Sequence, residues 1–533
     1  MSASSKKKLR KEQEAAKMTE KQLNAQKEAR KTSLYTTAFL VVMAVILVIA
    51  IVVGVNQTIT NSGIREKNTV ALTVGNHKIS NAEMNYYFMD SVNEFYSAYG
   101  SYAAMFGLDV TAPLDQQVLD AETGLTWADD FLSAAKSNAQ ATYALADAAE
   151  AAGFALSNEE RTAVEYNVYN IDAYANLYGF ESGDAYMKAL YGNGASVESY
   201  EEYALRTALA DAYYNHYAES LTYEEADLRA KDAENPSAYN SYSFNSYYMS
   251  VSKFQSEDAT DADKEAAVKA AEAAAKELVS DEITTIEELD AAIAALSINE
   301  GTTAASSAST TLYASLNSVY ADWVSDSSRK AGDKAYFAST SIGENGEETV
   351  LGYYVIYFNG SDDNTVNLAN VRHILVAFAH DESEDHDHTA ATYTDAEKAA
   401  AKASAEELLA QWESGDKSED SFAELANSVS DDGDGVSGGL YENVYPGQMV
   451  TNFNDWCFDS SRKTGDTDIV ETEYGYHIMY YVGQSETTYR DFMIENDLRS
   501  TDVSEWYNAA IEAATVTDGD FKYVNTGAVL SAA

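Results

Sequence analysis

Asp322-Trp323-Val324-Ser325-Asp326-Ser327-Ser328-Arg329-Lys330-Ala331-Gly332-Asp333 returns later in the chain as Asp455-Trp456-Cys457-Phe458-Asp459-Ser460-Ser461-Arg462-Lys463-Thr464-Gly465-Asp466. Each copy is followed by a Gly-Tyr stretch that reads as a strand, Gly352 to Gly360 and then Gly475 to Gly483. Self-similarity on this scale means one domain built twice. The copies differ where chemistry would sit, because Tyr354 in the first becomes His477 in the second.

Working outward, the first copy spans 237–363 and the second 366–484. In the first, a strand around Tyr247-Tyr248-Met249 precedes an Ala-rich helix (Glu265 to Val279) and a shorter one (Ile286 to Leu296). In the second, Val371 to Val376 is a strand, Thr394 and Glu397 form a capping box, and Ala401, Ala405, Leu408 and Trp412 line one helical face. Phe422, Leu425 and Ala426 mark another helix. Strands and helices mixed in this order predict a small α+β domain with an antiparallel sheet. Residues 68–236 read as an almost wholly helical domain. They open with a hairpin turned at Gly75-Asn76 and a capping box from Ser80 to Glu83, and close at Asn235-Pro236. The tail, 486–533, holds one amphipathic helix (Phe492, Ile494, Leu498, Trp506, Ile511) that could pack back on the helical domain.

The other end carries the address. Residues 1–33 hold ten Lys/Arg against four Glu, and Leu34 to Val55 carries no charge. That run is long enough to cross a bilayer, and the basic flank places the 1–33 tail in the cytoplasm and the remainder outside. A cleaved signal peptide fits less well, because the run is long and lacks a clean cleavage site. The expected architecture is therefore α+β multidomain behind a single N-terminal transmembrane helix at 34–55. Excluding the tail, 25 basic side chains face 82 acidic ones, a net charge of −57 (the 533-residue chain carries −51). Such a field repels nucleic acid and anionic lipid. Cys457 is the single cysteine, so no intrachain disulfide forms. Val324 takes its place in the first copy, which reads as a buried apolar position.

The second copy resembles a parvulin-type peptidyl-prolyl isomerase. The pieces lie in the family's order: Val371-Arg372-His373-Ile374-Leu375-Val376, Phe422 through Asp432, Gly438-Gly439, Gly447-Gln448-Met449 with Phe453, and Thr472 with Tyr474-Gly475-Tyr476-His477-Ile478. The helical domain, opening Val70, Leu72, Val74, Gly75-Asn76, Ile79 and Ser80, is similar to the chaperone segment of exported, membrane-anchored PrsA- and SurA-like foldases. The resemblance implies that His373 and His477 face one another beneath the site, that Asp432 and Thr472 join their network, and that Met449 and Phe453 hold the substrate proline. It implies no cofactor and no metal. Its clients would be unfolded or exported polypeptides with X-Pro bonds. In the first copy Tyr248 and Tyr354 stand in for the two histidines, and that copy is degenerate.

The residues also permit plainer readings. His373 and His477 could satisfy one another in a core, and Met449 and Phe453 could be an ordinary helix face. Asp432 could be a turn residue. Two departures from the family pattern matter. Tyr441 falls where an apolar Leu usually lines the pocket. The loop from His380 to His388 is acidic where phosphate-directed relatives are basic, which predicts no preference for phosphorylated substrates. Its His386 and His388 are a weak metal signal, and Asp432-Gly433-Asp434-Gly435 lacks the rest of a calcium loop. A holdase without isomerase activity is the competing function.

Overall fold

The computed structural model describes residues 4, 5, 7, 63–256, 258–343, 346–379, 393–432 and 437–529. The expected anchor (34–55), nearly all of the basic tail, the His380 to His388 loop and Gly433-Asp434-Gly435 lie outside the described residues. Among the described residues no helix is long and apolar enough to cross a membrane. The chain divides into two compact units.

Among the described residues, one unit comprises 63–222 together with Arg499 onward. α1 (Ile64–Asn68) leads to the hairpin of β1 (Val70–Val74) and β2 (His77–Ser80), turned at Gly75 with φ 55°. α2 (Asn81–Tyr99) starts at Ser80, whose hydroxyl accepts the Glu83 N–H at 3.2 Å. The expected capping box stays half made, because the Glu83 carboxylate accepts instead from Arg206 at 2.6 Å and the Tyr143 hydroxyl at 2.7 Å. The near-continuous helix expected to follow is interrupted by a ribbon of β3 (Val118–Asp120) and β4 (Leu125–Thr126). Then come α3 (Trp127–Ala152), α4 (Asn158–Tyr169), α5 (Ile171–Leu177), α6 (Gly183–Tyr191) and α7 (Val197–Ser220). Their apolar faces close one core in which Leu72, Met84, Tyr86, Phe88 and Tyr186 are fully buried.

The other unit, Tyr223–Leu498, opens with α8 (Glu225–Glu234), so the chain leaves the first unit ahead of Asn235-Pro236. The first copy runs β5 (Ser241–Ser250), α9 (Asp261–Leu278), α10 (Ile286–Ala295), β6 (Ser307–Leu312), α11 (Ala321–Val324), β7 (Lys334–Ile342) and β8 (Glu348–Asp362). The second runs β9 (Asn367–Ala377), α12 (Asp395–Glu413), α13 (Glu419–Val429), β10 (Leu440–Val444), α14 (Thr451–Cys457), β11 (Thr467–Glu471) and β12 (Gly475–Thr488).

Both sheets are antiparallel with the same order, β6-β5-β8-β7 and β10-β9-β12-β11. The quoted repeat is a hook that ties the short helix to the last strand. Gly332 N–H donates to the Phe358 carbonyl and Gly465 N–H to the Tyr481 carbonyl, both at 2.8 Å. Arg329 lies over the Trp323 ring and Arg462 over Trp456, at 4.8 and 4.4 Å. Val324 and Cys457 are both buried in the cores beneath, and burial pushes the Cys457 thiol up to about 12, so it is unreactive at neutral pH.

α15 (Tyr489–Ala513) follows β12, and β13 (Val516–Asp518) then pairs with β1. From Arg499 onward the tail belongs to the helical unit. Trp506 stacks on Tyr217 at 4.0 Å, and Asn81 and Asn85 accept the Tyr523 and Asn525 N–H groups. In the Tyr223–Leu498 unit, Arg490 at the start of α15 binds Asp232 through Nε and Nη2, the Asn240 side chain, and the Pro236 and Asp363 carbonyls.

Candidate active site

In a strand, alternate side chains share a face. On β9 and β12 this separates Ile374, Tyr476 and Ile478, which pack under α12 and α13, from Val371, Met479 and Tyr481, which pack against Phe453 and Trp456 of α14. His373 and His477 belong to the second face. His373 pairs with Met479 and His477 with Leu375, so the two histidines are diagonal neighbours. Their Nδ1 atoms lie 3.0 Å apart in a buried setting.

A line of polar groups runs through the pair. Tyr474 N–H donates to Thr472 Oγ1 at 3.2 Å, and Thr472 Oγ1 lies 2.9 Å from His477 Nε2. At the other end His373 Nε2 lies 2.9 Å from Asp432 Oδ2, off the axis of a well-aligned hydrogen bond. The Tyr441 hydroxyl donates to the same Asp432 oxygen at 2.7 Å. One direction of donation fits the line, with the Thr472 hydroxyl also 3.3 Å from the Gly475 carbonyl. Thr472 O–H donates to His477 Nε2, His477 Nδ1–H donates to His373 Nδ1, and His373 Nε2–H faces the carboxylate.

Burial and contact set the charge state of two members of the line. Burial pushes the His477 imidazole down to about 3, with His373 adding to the effect and Asp432 opposing it. The contact with His373, foremost, holds the Asp432 carboxyl down to about 2 against the opposing effect of burial, with help from the Tyr441 hydroxyl. At neutral pH this is a neutral histidine behind an ionised carboxylate on the rim.

Rings enclose the pair. Tyr441 stacks on His373 at 4.6 Å, and Phe453 meets His373 and His477 edge-on at 5.5 and 5.3 Å. Phe453 is buried and forms a floor, whereas Met449, Tyr441 and Asp432 are partly or well exposed. Met449 lies in the turn before Val450, the N-cap of α14. It is therefore not one turn of helix from Phe453, and the helix-face reading of that pair does not hold. The seven residues singled out from the sequence (His373, Asp432, Tyr441, Met449, Phe453, Thr472 and His477) thus lie on one face of the sheet or at its rim.

Three supports were not foreseen. The Ser430 hydroxyl and the Asp431 carboxylate accept the Leu375 and Ala377 N–H groups, pinning the exit of α13 beside β9. Arg372 holds the Gly438 carbonyl at 3.0 Å and Glu419 at 2.9 Å. Gly439 has φ 65° and passes so close to β9 that a Cβ there would lie 2.1 Å from the His373 carbonyl oxygen, so only glycine fits. The short polar run Ser430-Asp431-Asp432 is a turn signal that could have suggested the Ser430 and Asp431 contacts.

The first copy corrects one expectation. Tyr354 occupies the place of His477, but pairing of β5 with β8 puts Tyr248 opposite Tyr354, as Leu375 is opposite His477. The place of His373 belongs to Ser246, opposite Ile356. The apolar half of the site persists: Tyr320 meets Tyr354 at 5.4 Å much as Phe453 meets His477. The hydrogen-bond line is gone.

Comparison with known proteins agrees on the second copy. Residues 353–484 match the family model of the PPIC-type PPIase domain, beginning in β8, ahead of the expected 366. This part of the chain is a parvulin-type peptidyl-prolyl isomerase domain. Solved structures similar to the chain include the peptidylprolyl isomerases PrsA of Bacillus anthracis and Bacillus cereus. The first is 20% identical over 28% of this chain, with a TM-score of 0.18, and the second 21% over 32%, with a TM-score of 0.17. The chain spans 59% of the length of each. No curated protein matches the chain.

Proposed function

We propose that this chain, carrying a PPIC-type isomerase domain, is a membrane-anchored extracytoplasmic foldase that isomerises X-Pro bonds in exported polypeptides. The observation that carries the reading is the line Thr472, His477, His373, Asp432, Tyr441 beside Met449 and Phe453, complete in the second copy and dismantled in the first.

Isomerisation rotates a partly double C–N bond over ~20 kcal/mol and makes no covalent bond. The catalyst must bind the twisted amide better than either planar form. Met449 and the Phe453–Tyr441 wall would seat the proline ring away from water. Water favours the planar, more polar amide over the twisted one, so a pocket without water narrows that advantage. Asp432 and the histidine pair would supply fixed electrostatics around the carbonyl and nitrogen. Asp432 serves as an electrostatic group here, because nucleophilic attack is not required.

The membrane address rests on the charge pattern of residues 1–55, and the preference for unphosphorylated clients on the acidic His380 to His388 stretch and on ionised Asp432. The test is refolding of a reduced, proline-limited client with the full chain present. The slow phase is expected to accelerate, and a Ser-Pro peptide is expected to be turned over at least about tenfold faster than its phosphorylated twin. Suppressed aggregation with an unchanged slow phase would instead favour the holdase.

A further inference from the structure

Within the helical unit, α2, α3, α7 and the Arg499-onward part of α15 surround a cavity of about 650 Å³, a volume ordinary for a ligand site. The faces that line it are rich in polar groups, and its rim is open to solvent. Asp90 and Glu94 come from α2, Asp211 from α7, and Tyr87, Tyr203 and Tyr507 supply rings. No Lys, Arg or His lines the cavity among the described residues.

Two buried hydroxyls at the wall lack hydrogen bonds, those of Tyr87 and Thr207. Tyr87 is 2% exposed, and its hydroxyl lies beside Thr142 and Arg206 without reaching hydrogen-bond geometry with either. Asp90 accepts from the Tyr203 hydroxyl. Burial, with the charge of Glu94, nonetheless raises its carboxyl to about 6. A half-buried carboxylate and unfilled hydroxyls lining one cavity carry a desolvation cost that a bound group would offset.

We propose that this cavity binds the cationic side chain, arginine or lysine, of an extended client polypeptide. A cation pairs with the half-buried Asp90, is held by Glu94 and Asp211, and sits among tyrosine rings of the kind that attract cations. An anion would meet three carboxylates, and an apolar group would leave them unsolvated. The negative field of the chain draws basic segments toward the molecule. That the cation belongs to a polypeptide rests on the foldase reading; the preference for a cation does not.

The test is calorimetric titration of the full chain with a blocked, proline-free heptapeptide of Gly, Ser and Ala carrying one central Arg, beside its citrulline twin. The Arg peptide is expected to bind at least ~10-fold more tightly, a difference that the standard affinity relation sets at ~1.4 kcal/mol. Asp90→Asn, which keeps an acceptor for Tyr203, and Glu94→Gln on the exposed rim are expected to erase most of that preference. Glu150→Gln, an equal charge change on α3 away from the cavity, is expected to keep it. Equal binding of the twins, or an undiminished preference in both Asp90→Asn and Glu94→Gln with melting unchanged, would overturn the proposal. Because the probes lack proline, an inactive isomerase site would not affect the result.

Discussion

Arg490→Ala is expected to destabilise the Tyr223–Leu498 unit by ~3–5 kcal/mol, the usual cost of removing one partner of a buried pair. The guanidinium side chain is 9% exposed and its partner Asp232 20%. Its five donors meet Asp232, Asn240 and the Pro236 and Asp363 carbonyls, joining α8, the entry to β5 and the turn between the two copies. Removing it leaves a carboxylate and two carbonyls partly buried and unpaired, each with its own desolvation cost. Arg490→Lys should rescue little, because a single ammonium cannot span a fork of acceptors. Melting of the full chain checks this: the transition of this unit should fall by roughly 10 °C, given the usual ~2–4 °C per kcal/mol for a unit of this size. An unchanged transition would show that the hub is decoration.

The second large effect is on acid stability. His477 has its folded value near 3 and an unfolded value of ~6.5. Below ~6.5 the unfolded chain binds a proton that the native site refuses. Stability is therefore lost as pH falls from ~6.5 toward 3, by at most ~1.4 kcal/mol per pH unit. His477→Gln, whose side-chain oxygen can still accept from Thr472, removes that slope, so wild type minus variant should decline through this window. Asp432 behaves differently. Its folded value near 2 lies below the unfolded ~3.9, so its contribution is present above ~4 and is lost between ~4 and 2. Asp432→Asn should therefore run parallel to wild type until about pH 4. Urea melts at stepped pH decide both, because the many other acidic groups cancel in the differences. A flat wild-type-minus-His477→Gln difference would mean that His477 is not held neutral by burial.

How far the sequence spoke depended on distance along the chain. The repeat at Asp322 and Asp455 implied two like domains, and both sheets have one topology, because the hook it encodes is local. Capping at Thr394 was legible for the same reason. At Ser80 only half the box formed, since Arg206 and Tyr143, remote in sequence, compete for Glu83. The assignment of Tyr248 to the place of His373 failed because connections differ in length between copies. The interval from Asp333 to Gly352 far exceeds that from Asp466 to Gly475, and strand register cannot be carried across such gaps. Resemblance brought forward the residues that the structure gathers around His373 and His477. It did not supply the polar work of Tyr441, read as a pocket wall, whose hydroxyl reaches Asp432 across the loop. Arg490 and Asp232, 258 residues apart, left no mark in the sequence at all.

The most direct measurement is cis–trans exchange of one short, unphosphorylated X-Pro peptide, followed by NMR with the full chain and with its Phe453→Ala variant. The account predicts that catalytic amounts of wild type accelerate exchange well above the uncatalysed rate. It also predicts that Phe453→Ala, melting as a folded protein, loses at least about tenfold in kcat/KM because the floor of the proline pocket is gone. No acceleration by the folded wild-type chain, or equal rates in the variant, would contradict it.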